Sequence, residues 1–335
     1  MLVRNRATGL RAIWLMVFAI AVVGVAVLSL MVGARPLAPA AVLDALLTTD
    51  LTNPDHAVVW DGRVPRTALG LIAGVAMGVA GALIQGLTRN PLADPGILGI
   101  NAGAAFGVVL AVGILGIETV LGYIWFAFAG GLVAAVGVFL IGRGRNVDPV
   151  RLVLAGVALS AVLEGMGQAL ALVNPQAFDR LRTWNVGSID IGSTRPIIAI
   201  SAFVLAGVVL ALFTGRRLNA LAMGDEVAAS LGAGVRGTRV MALAATTLLA
   251  GSVAATAGVI VFLGLMVPHL ARWICGPDYR WVLLYSALLG AVILLLADIV
   301  GRVVVRGELA AGIVVAVVGA PFLIALARRR KVIEL

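Results

Sequence analysis

The 335-residue sequence is 61% hydrophobic and only 12% charged, whereas an ordinary soluble domain is roughly 25% charged. A mean hydropathy of +1.10 excludes a soluble globular protein. The net charge of +9 does not indicate nucleic-acid binding, because the basic residues are dispersed between apolar runs and only 6% of residues are aromatic. The composition therefore predicts a membrane protein made of α-helices.

Residues that bind metals or nucleotides are scarce. Cys275 is the single cysteine, and His56 and His269 are far apart, which argues against a disulfide framework and against a metal site. Lys331 is the only lysine, so the chain cannot contain an internal P-loop. We therefore expect no cofactor in this chain, and any ATP must be bound by another subunit.

Nine apolar stretches approach the roughly 20 residues that cross a bilayer. The first has arginines before it and could be a signal peptide, but its length favours an uncleaved span. The stretches cover residues 12–33, 66–86, 95–115, 119–141, 150–173, 193–214, 239–262, 282–301 and 310–327.

A tenth crossing is needed to place the basic residues at both termini on the cytoplasmic side. The candidate is 263–275, a short stretch interrupted by Pro268 and His269. Such a segment can cross only if neighbouring protein satisfies its broken backbone hydrogen bonds. Ten spans then leave external loops at 34–62 and 174–192, and both termini inside.

An internal repeat relates 63–94 to 236–272. Each copy opens with R-x-x-R and carries a glycine and a proline ten residues apart, Gly81 with Pro91 and Gly258 with Pro268. The predicted topology makes the two copies antiparallel, as in the inverted repeats of transporters. The first copy also carries a glycine stripe, including Gly74 and Gly78, which predicts close packing between helices.

Segment 216–238 is too polar to span but is patterned as two short helices. Leu218 and Leu221 share a face of the first, Asp225 can cap the second, and Gly232 can end it. The segment is either an amphipathic connector or a docking element for a partner.

Several polar residues lie inside or beside spans, where they line a pathway or satisfy structural hydrogen bonds. Asp298 and Arg302 are four residues apart and can form a local ion pair. Arg63 and Arg66 precede a span, where arginines also serve as interfacial anchors. The pathway or structural candidates are Asn101, Glu164, Gln168, His269 and Asp298.

Five blocks together resemble the FecCD-type permease subunits of ABC importers for iron-siderophore complexes, haem and vitamin B12. The resemblance covers nearly the whole chain. The blocks are RVPRT at 63–67, GALIQGLTRNPLADPGILGINAGA at 81–104, GDEVAASLGAGV at 224–235, FLGLMVPHLAR at 262–272 and GEL at 307–309.

This resemblance implies an all-α type II importer permease of about ten spans in the cytoplasmic membrane, forming a single domain over 1–335. It implies two ATPase subunits that bind ATP and Mg²⁺, an external substrate-binding protein, and a second permease subunit. A homologous heterodimer is favoured over a homodimer.

The resemblance also assigns two docking surfaces. Arg63, Arg66, Arg302 and Arg306 would dock the binding protein. The ATPase-coupling residues would be Arg217, Leu218, Leu221, Gly224, Asp225, Glu226, Ala228, Leu231 and Gly232.

Three further segments, 174–191, 269–281 and 298–309, most resemble the family's permeases for ferric catecholate siderophores. This resemblance favours such a siderophore as cargo over haem or cobalamin. A chain of this kind transports and is not an enzyme. The competing class is an ion-coupled secondary transporter, which inverted repeats also suit. Such a transporter needs buried charges for its coupling ion, and Glu164 is nearly alone within the predicted spans.

Overall fold

The computed structural model describes residues 2–33, 35–50, 52–142, 149–305 and 307–328, and within these ranges it contains helices and no strands. Among the described residues, seven helices are long and apolar enough to cross a membrane, and four shorter apolar helices accompany them. One of the four lies in a predicted external loop, and the other three bring the bundle to ten, as predicted. The ten are α1 (Leu2–Met31), α4 (Val64–Thr88), α5 (Ile100–Gly113), α6 (Val120–Gly142), α7 (Pro149–Val173), α9 (Arg195–Ala222), α11 (Val235–Ala257), α12 (Leu263–Cys275), α13 (Tyr279–Val304) and α14 (Ala311–Arg328).

Four short helical pieces occupy the two predicted external loops. They are α2 (Pro39–Thr48), α3 (Pro54–Ala57), a π-helical turn (Val58–Arg63) that runs into α4, and α8 (Pro175–Asn185). The Asn174 side chain begins α8 by accepting a hydrogen bond of 2.9 Å from the Ala177 amide. The loops are therefore folded caps on one end of the bundle.

The core of the bundle is the contact between α4 and α13, where glycines bring two backbones together. A Cβ atom added at Gly78 would lie 2.0 Å from the Ser286 carbonyl oxygen, and one at Gly74 would lie 2.5 Å from the Ala291 Cα. Only glycine fits such an approach. The predicted packing role of the stripe is confirmed.

A side chain of the neighbouring helix α4 replaces the backbone hydrogen bond that Pro268 removes from α12. Pro268 has no amide hydrogen, so the Gly264 carbonyl lacks its usual partner four residues on. Gln85 Nε2, from α4, donates to the carbonyls of Gly264 and Leu265 at 3.4 and 3.1 Å. The prediction that neighbouring protein satisfies the freed backbone groups is confirmed.

Segment 216–238 folds differently from the prediction in two respects. Its first predicted helix is the last part of α9, which continues without a break to Ala222 because Leu218 and Leu221 are buried against the bundle. The second is α10 (Asp225–Ser230). Asp225 does not cap α10: Gly224 occupies that position, and the Asp225 carboxylate binds two arginines instead.

Candidate functional sites

A polar cavity of about 1060 Å³ opens along α5 and α7. Three of the predicted polar residues, Asn101, Glu164 and Gln168, lie in its wall. The remainder of the wall is largely glycine and apolar side chains, with Trp184 and Asn185 contributed by α8. Asn101 and Gln168 are 67 positions apart in sequence, and the structure thus brings them into one cavity wall.

Asp94 also lines this cavity, and the sequence did not single it out. Its Oδ1 accepts a hydrogen bond of 2.8 Å from the Gly96 amide, whereas its buried Oδ2 has no hydrogen-bond partner among the described residues. The only sequence signal was Asp-Pro, which is typical of a turn. Because a turn residue is usually exposed to solvent, the sequence does not predict that Asp94 lies in the wall of a cavity.

The two other polar candidates lie away from the cavity and have structural contacts. His269 is buried, and its Nδ1 lies 3.1 Å from the Leu265 carbonyl oxygen and 3.5 Å from Arg272 Nη2. Asp298 is fully buried between two arginines. The predicted set of polar residues therefore divides into three that face the cavity and two that stabilise the bundle.

Three of the four arginines predicted to dock a binding protein, Arg63, Arg66 and Arg302, are buried at the end of the bundle that carries α2 and α8. Arg66 donates to Asp298 at 2.9 Å and to Glu308 at 2.6 Å. Arg302 donates to the same Asp298, 2.8 Å from its Nε, and to the Ser29 carbonyl at 2.7 Å. The predicted ion pair between Asp298 and Arg302 is confirmed.

Arg63 makes no ion pair in the described chain but donates to the backbone carbonyls of Leu30 and Met31 at 2.7 and 2.8 Å. The guanidinium groups of Arg63, Arg66 and Arg302 thus join α1, α4 and α13 at one end. Arg306 lies outside the described residues.

Segment 216–238 presents a mixed surface at the opposite end of the bundle. Leu218, Leu221 and Ala228 are buried within the chain and hold the segment in place. Arg217, Gly232 and the large side chains of Met223, Val227 and Leu231 are exposed. The exposed apolar groups, rather than the buried ones, form the surface that a partner can reach.

Two arginines from different helices hold the carboxylate of Asp225. Arg239, in the first turns of α11, donates from Nη2 to both carboxylate oxygens at 3.1 and 2.8 Å. Arg89, which follows α4, donates from Nη2 to the same carboxylate and from Nε to the Leu221 carbonyl at 2.7 Å. The carboxylate thus connects α10 to both α4 and α11.

A second connection joins the end of α9 to the turn before α13. Asn219 donates to Asp278 at 2.7 Å and accepts from the Tyr279 amide at 2.8 Å. Hydrogen bonds from the Arg280 guanidinium, and then from Asn219, lower the pKa of the Asp278 carboxyl to about 2. Asp278 is therefore ionised throughout the physiological range.

A bundle of ten apolar helices with a polar cavity in one wall defines a multi-span membrane transport permease. The FecCD transport family matches residues 19–329, so the chain belongs to the FecCD transport family. It is a transport subunit of the inner membrane and not an enzyme.

Curated relatives match over most of their length. The ferric enterobactin transport system permease protein FepD of Escherichia coli (strain K12) is 48% identical over 305 residues, covering 90% of this chain and 91% of that one. The probable siderophore transport system permease protein YfiZ of Bacillus subtilis (strain 168) is 37% identical, covering 86% and 87%. The hemin transport system permease protein HmuU of Yersinia pestis is 35% identical, covering 84% and 86%.

A solved structure shares the fold. It is an inward-facing metal-chelate type ABC transporter, which superposes with a TM-score of 0.83 at 25% sequence identity and covers 95% of this chain and 99% of that one. The predicted type II importer permease fold is confirmed.

Proposed function

We propose that this chain is the permease subunit of an ATP-driven importer that carries a ferric siderophore complex across the cytoplasmic membrane. The observation that carries the proposal is the 48% identity to a ferric enterobactin permease over nine-tenths of both chains. Haem is the second candidate cargo, because a hemin permease is 35% identical. An ion-coupled mechanism is not favoured, since the family match and the metal-chelate type ABC transporter that shares the fold both support an ATP-driven importer.

The cavity along α5 and α7 supports the proposed pathway. Its volume of about 1060 Å³ is at the upper end of the roughly 300–1,000 Å³ typical of small-molecule sites. The cavity wall carries hydrogen-bonding groups on Asn101, Glu164, Gln168 and Asp94. The described residues contain no cluster of metal ligands, which suits an iron that is already chelated. In this mechanism the helices alternate between outward and inward access and the cargo is not changed chemically.

The energy comes from two ATPase subunits that bind ATP and Mg²⁺ and dock on segment 216–238. Its exposed residues Met223, Val227 and Leu231 suit an apolar groove on such a partner. Both termini then lie in the cytoplasm with this segment, and a homologous second permease subunit completes the pathway.

An external binding protein docks at the end that carries α2 and α8. The guanidinium groups of Arg63, Arg66 and Arg302 are bound by groups within the chain. They therefore contribute to docking by holding in place the residues that form the docking surface. The half-exposed carboxylates beside Arg66, those of Asp190 and Glu308, are accessible to a partner.

The test is transport by the purified complex in proteoliposomes, with a panel of ferric catecholate, hydroxamate and citrate complexes, haem and cobalamin. We expect ATP-dependent uptake of a ferric siderophore and no uptake of haem or cobalamin. Uptake of haem alone would replace the cargo assignment with the second candidate.

The docking surface has a separate test. Scrambling residues 224–232 should release the ATPase subunits during purification while leaving the permease folded. Unchanged assembly together with unchanged uptake would overturn the coupling role of the segment.

A further inference from the structure

Segment 216–238, the proposed docking site of the ATPase subunits, must be connected to the helices that line and support the pathway. Movement of this segment can change access to the pathway only if it reaches those helices. Leu218, Leu221 and Ala228 pack the segment onto the bundle through apolar contacts. Apolar contacts are not directional, so they allow the segment to slide. Charged hydrogen bonds have a fixed geometry, and they are therefore better suited to passing on a displacement.

The carboxylate of Asp225 lies where such a connection is needed. It is the first residue of α10, and its two arginine partners belong to different core helices. Arg239 is the second charged residue of α11, and its side chain is only 6% exposed. Arg89 directly follows α4 in the left-handed backbone conformation, with φ of 49°, and also holds the Leu221 carbonyl.

The helices α4 and α11 are the first helices of the two copies of the predicted internal repeat, and both are mostly buried within the subunit. A displacement of α10 therefore pulls on both repeats through one carboxylate. Asn219, by contrast, fixes the end of α9 to the turn before α13.

We propose that Asp225, Arg89 and Arg239 form the mechanical link through which movement of segment 216–238 reaches α4 and α11. This inference rests on the proposed docking of the ATPase subunits on that segment. It assigns Asp225 a positioning role inside the permease, whereas the sequence resemblance implies a contact with the partner.

The exposure of the linking side chains distinguishes their proposed mechanical role from a contribution to the stability of the fold. The Asp225 side chain is 41% exposed and that of Arg89 is 35% exposed, and ion pairs of this exposure contribute little to stability. The Arg239 side chain is buried, and asparagine at position 225 keeps one oxygen that can accept a hydrogen bond from it. Asp225→Asn should therefore leave the fold and the ATPase contact in place. What it should change is the response of the pathway to ATP.

The experiment uses the whole complex in proteoliposomes, with Ala161→Cys as a reporter in the cavity wall. Ala161 is exposed to the cavity and the native Cys275 is buried, so a thiol reagent reports on the cavity. In the otherwise unaltered complex, ATP should change the labelling rate. Asp225→Asn should reduce that change on the order of tenfold, within the 5- to 150-fold range of coupling between sites, while ATP hydrolysis continues.

Further variants test whether Asp225 and Arg89 act as one unit. Arg89→Gln should reduce the response to a similar degree, and the double variant should be no worse than either single one. Asp225→Glu keeps the charge and should restore most of the response. Asp179→Asn, which breaks an exposed ion pair with Arg182 on α8, serves as the matched control and should respond fully to ATP.

The outcomes separate the two proposals. A full response in Asp225→Asn, or additive effects of the two substitutions, overturns the link. Loss of the ATPase subunits from Asp225→Asn also overturns it, because Asp225 is then a docking contact, as the docking proposal alone implies. Absence of any ATP response in the unaltered complex contradicts the proposed function before a variant is made.

Discussion

Gln85 performs two tasks with one fully buried side chain. Its amide nitrogen donates to the Gly264 carbonyl, which Pro268 leaves open in α12, and to the Leu265 carbonyl, and its Oε1 accepts a hydrogen bond from Arg272. Arg272 is itself buried, and its Nη1 has no hydrogen-bond partner in the described chain. A change at Gln85 therefore leaves polar groups on three other residues without a partner in an apolar surrounding.

Replacing Gln85 with leucine should lower the free energy of unfolding by about 2 kcal/mol, because a buried group left without its hydrogen bond costs roughly 1–3 kcal/mol. Denaturant unfolding in detergent micelles measures the change. Gln168→Leu is the control, since Gln168 is exposed in the cavity wall and should cost no more than about 0.5 kcal/mol. Equal stabilities for the two variants would contradict the role of Gln85.

Asp278 gives a prediction for pH dependence. Its pKa in the folded state, about 2, lies below the ordinary value of 3.8. The ionised carboxylate therefore stabilises the fold above the unfolded-state pKa, and this contribution is lost as the pH falls from about 4 to about 2.

Asp278→Asn should accordingly destabilise the protein by about 1 kcal/mol at neutral pH, a value reduced for the exposure of Arg280. The difference between the variant and the unaltered protein should be constant from pH 5 to 8 and disappear towards pH 2. Thermal unfolding across that range measures it, and a difference that grows in acid would show that the sign is wrong.

The sequence predicted some of these residues and missed others for a physical reason. Asp298 and Arg302 are four apart on a helix, so their ion pair was visible from spacing alone. The acidic partners of Arg66, and Arg89 among the two partners of Asp225, are more than 100 positions away along the chain. Local spacing does not encode such pairs, so the sequence does not predict that Arg66 is engaged within the chain.

At the scale of the helices, hydropathy was the more reliable guide. The positions of the spans follow from the length of apolar stretch that a bilayer requires, and the short crossing of α12 followed from charge placement. The end of α9 was missed because Arg216 and Arg217 ended the apolar run. Helical hydrogen bonding continues beyond the apolar run wherever residues such as Leu218 remain packed.

The contact between α4 and α13 should tolerate no side chain at Gly78. Gly78→Ala would place a methyl group against the Ser286 carbonyl, and overpacking of this kind typically costs about 1–3 kcal/mol or more. Gly24→Ala in α1 is the matched control, because a Cβ there meets nothing within 4 Å. Unfolding midpoints should fall for the first variant and not for the second.

At the scale of the whole molecule, the number of crossings determines the side of the membrane on which each loop lies. With ten spans, the turn after α13 lies outside, whereas nine spans would place it inside. An impermeant thiol reagent applied to intact spheroplasts should label Val305→Cys and Glu118→Cys and should not label Ser230→Cys. Labelling of Ser230→Cys, or protection of Val305→Cys, would contradict the ten-span topology.

The very different burial of α1 and α12 has a consequence for biogenesis. Most side chains of α1 from Gly9 onward are exposed on the isolated subunit, yet its end is held by Thr67 and Arg302, and the Arg11 carbonyl accepts from Tyr285. Because α1 is long and apolar, it can insert into the bilayer alone and remain there until its partner residues Tyr285 and Arg302 are synthesised. The 13 residues of α12 are too few for that. This crossing should be completed only after α4 is in place to supply Gln85, so insertion is stepwise for the first helix and cooperative for the broken one.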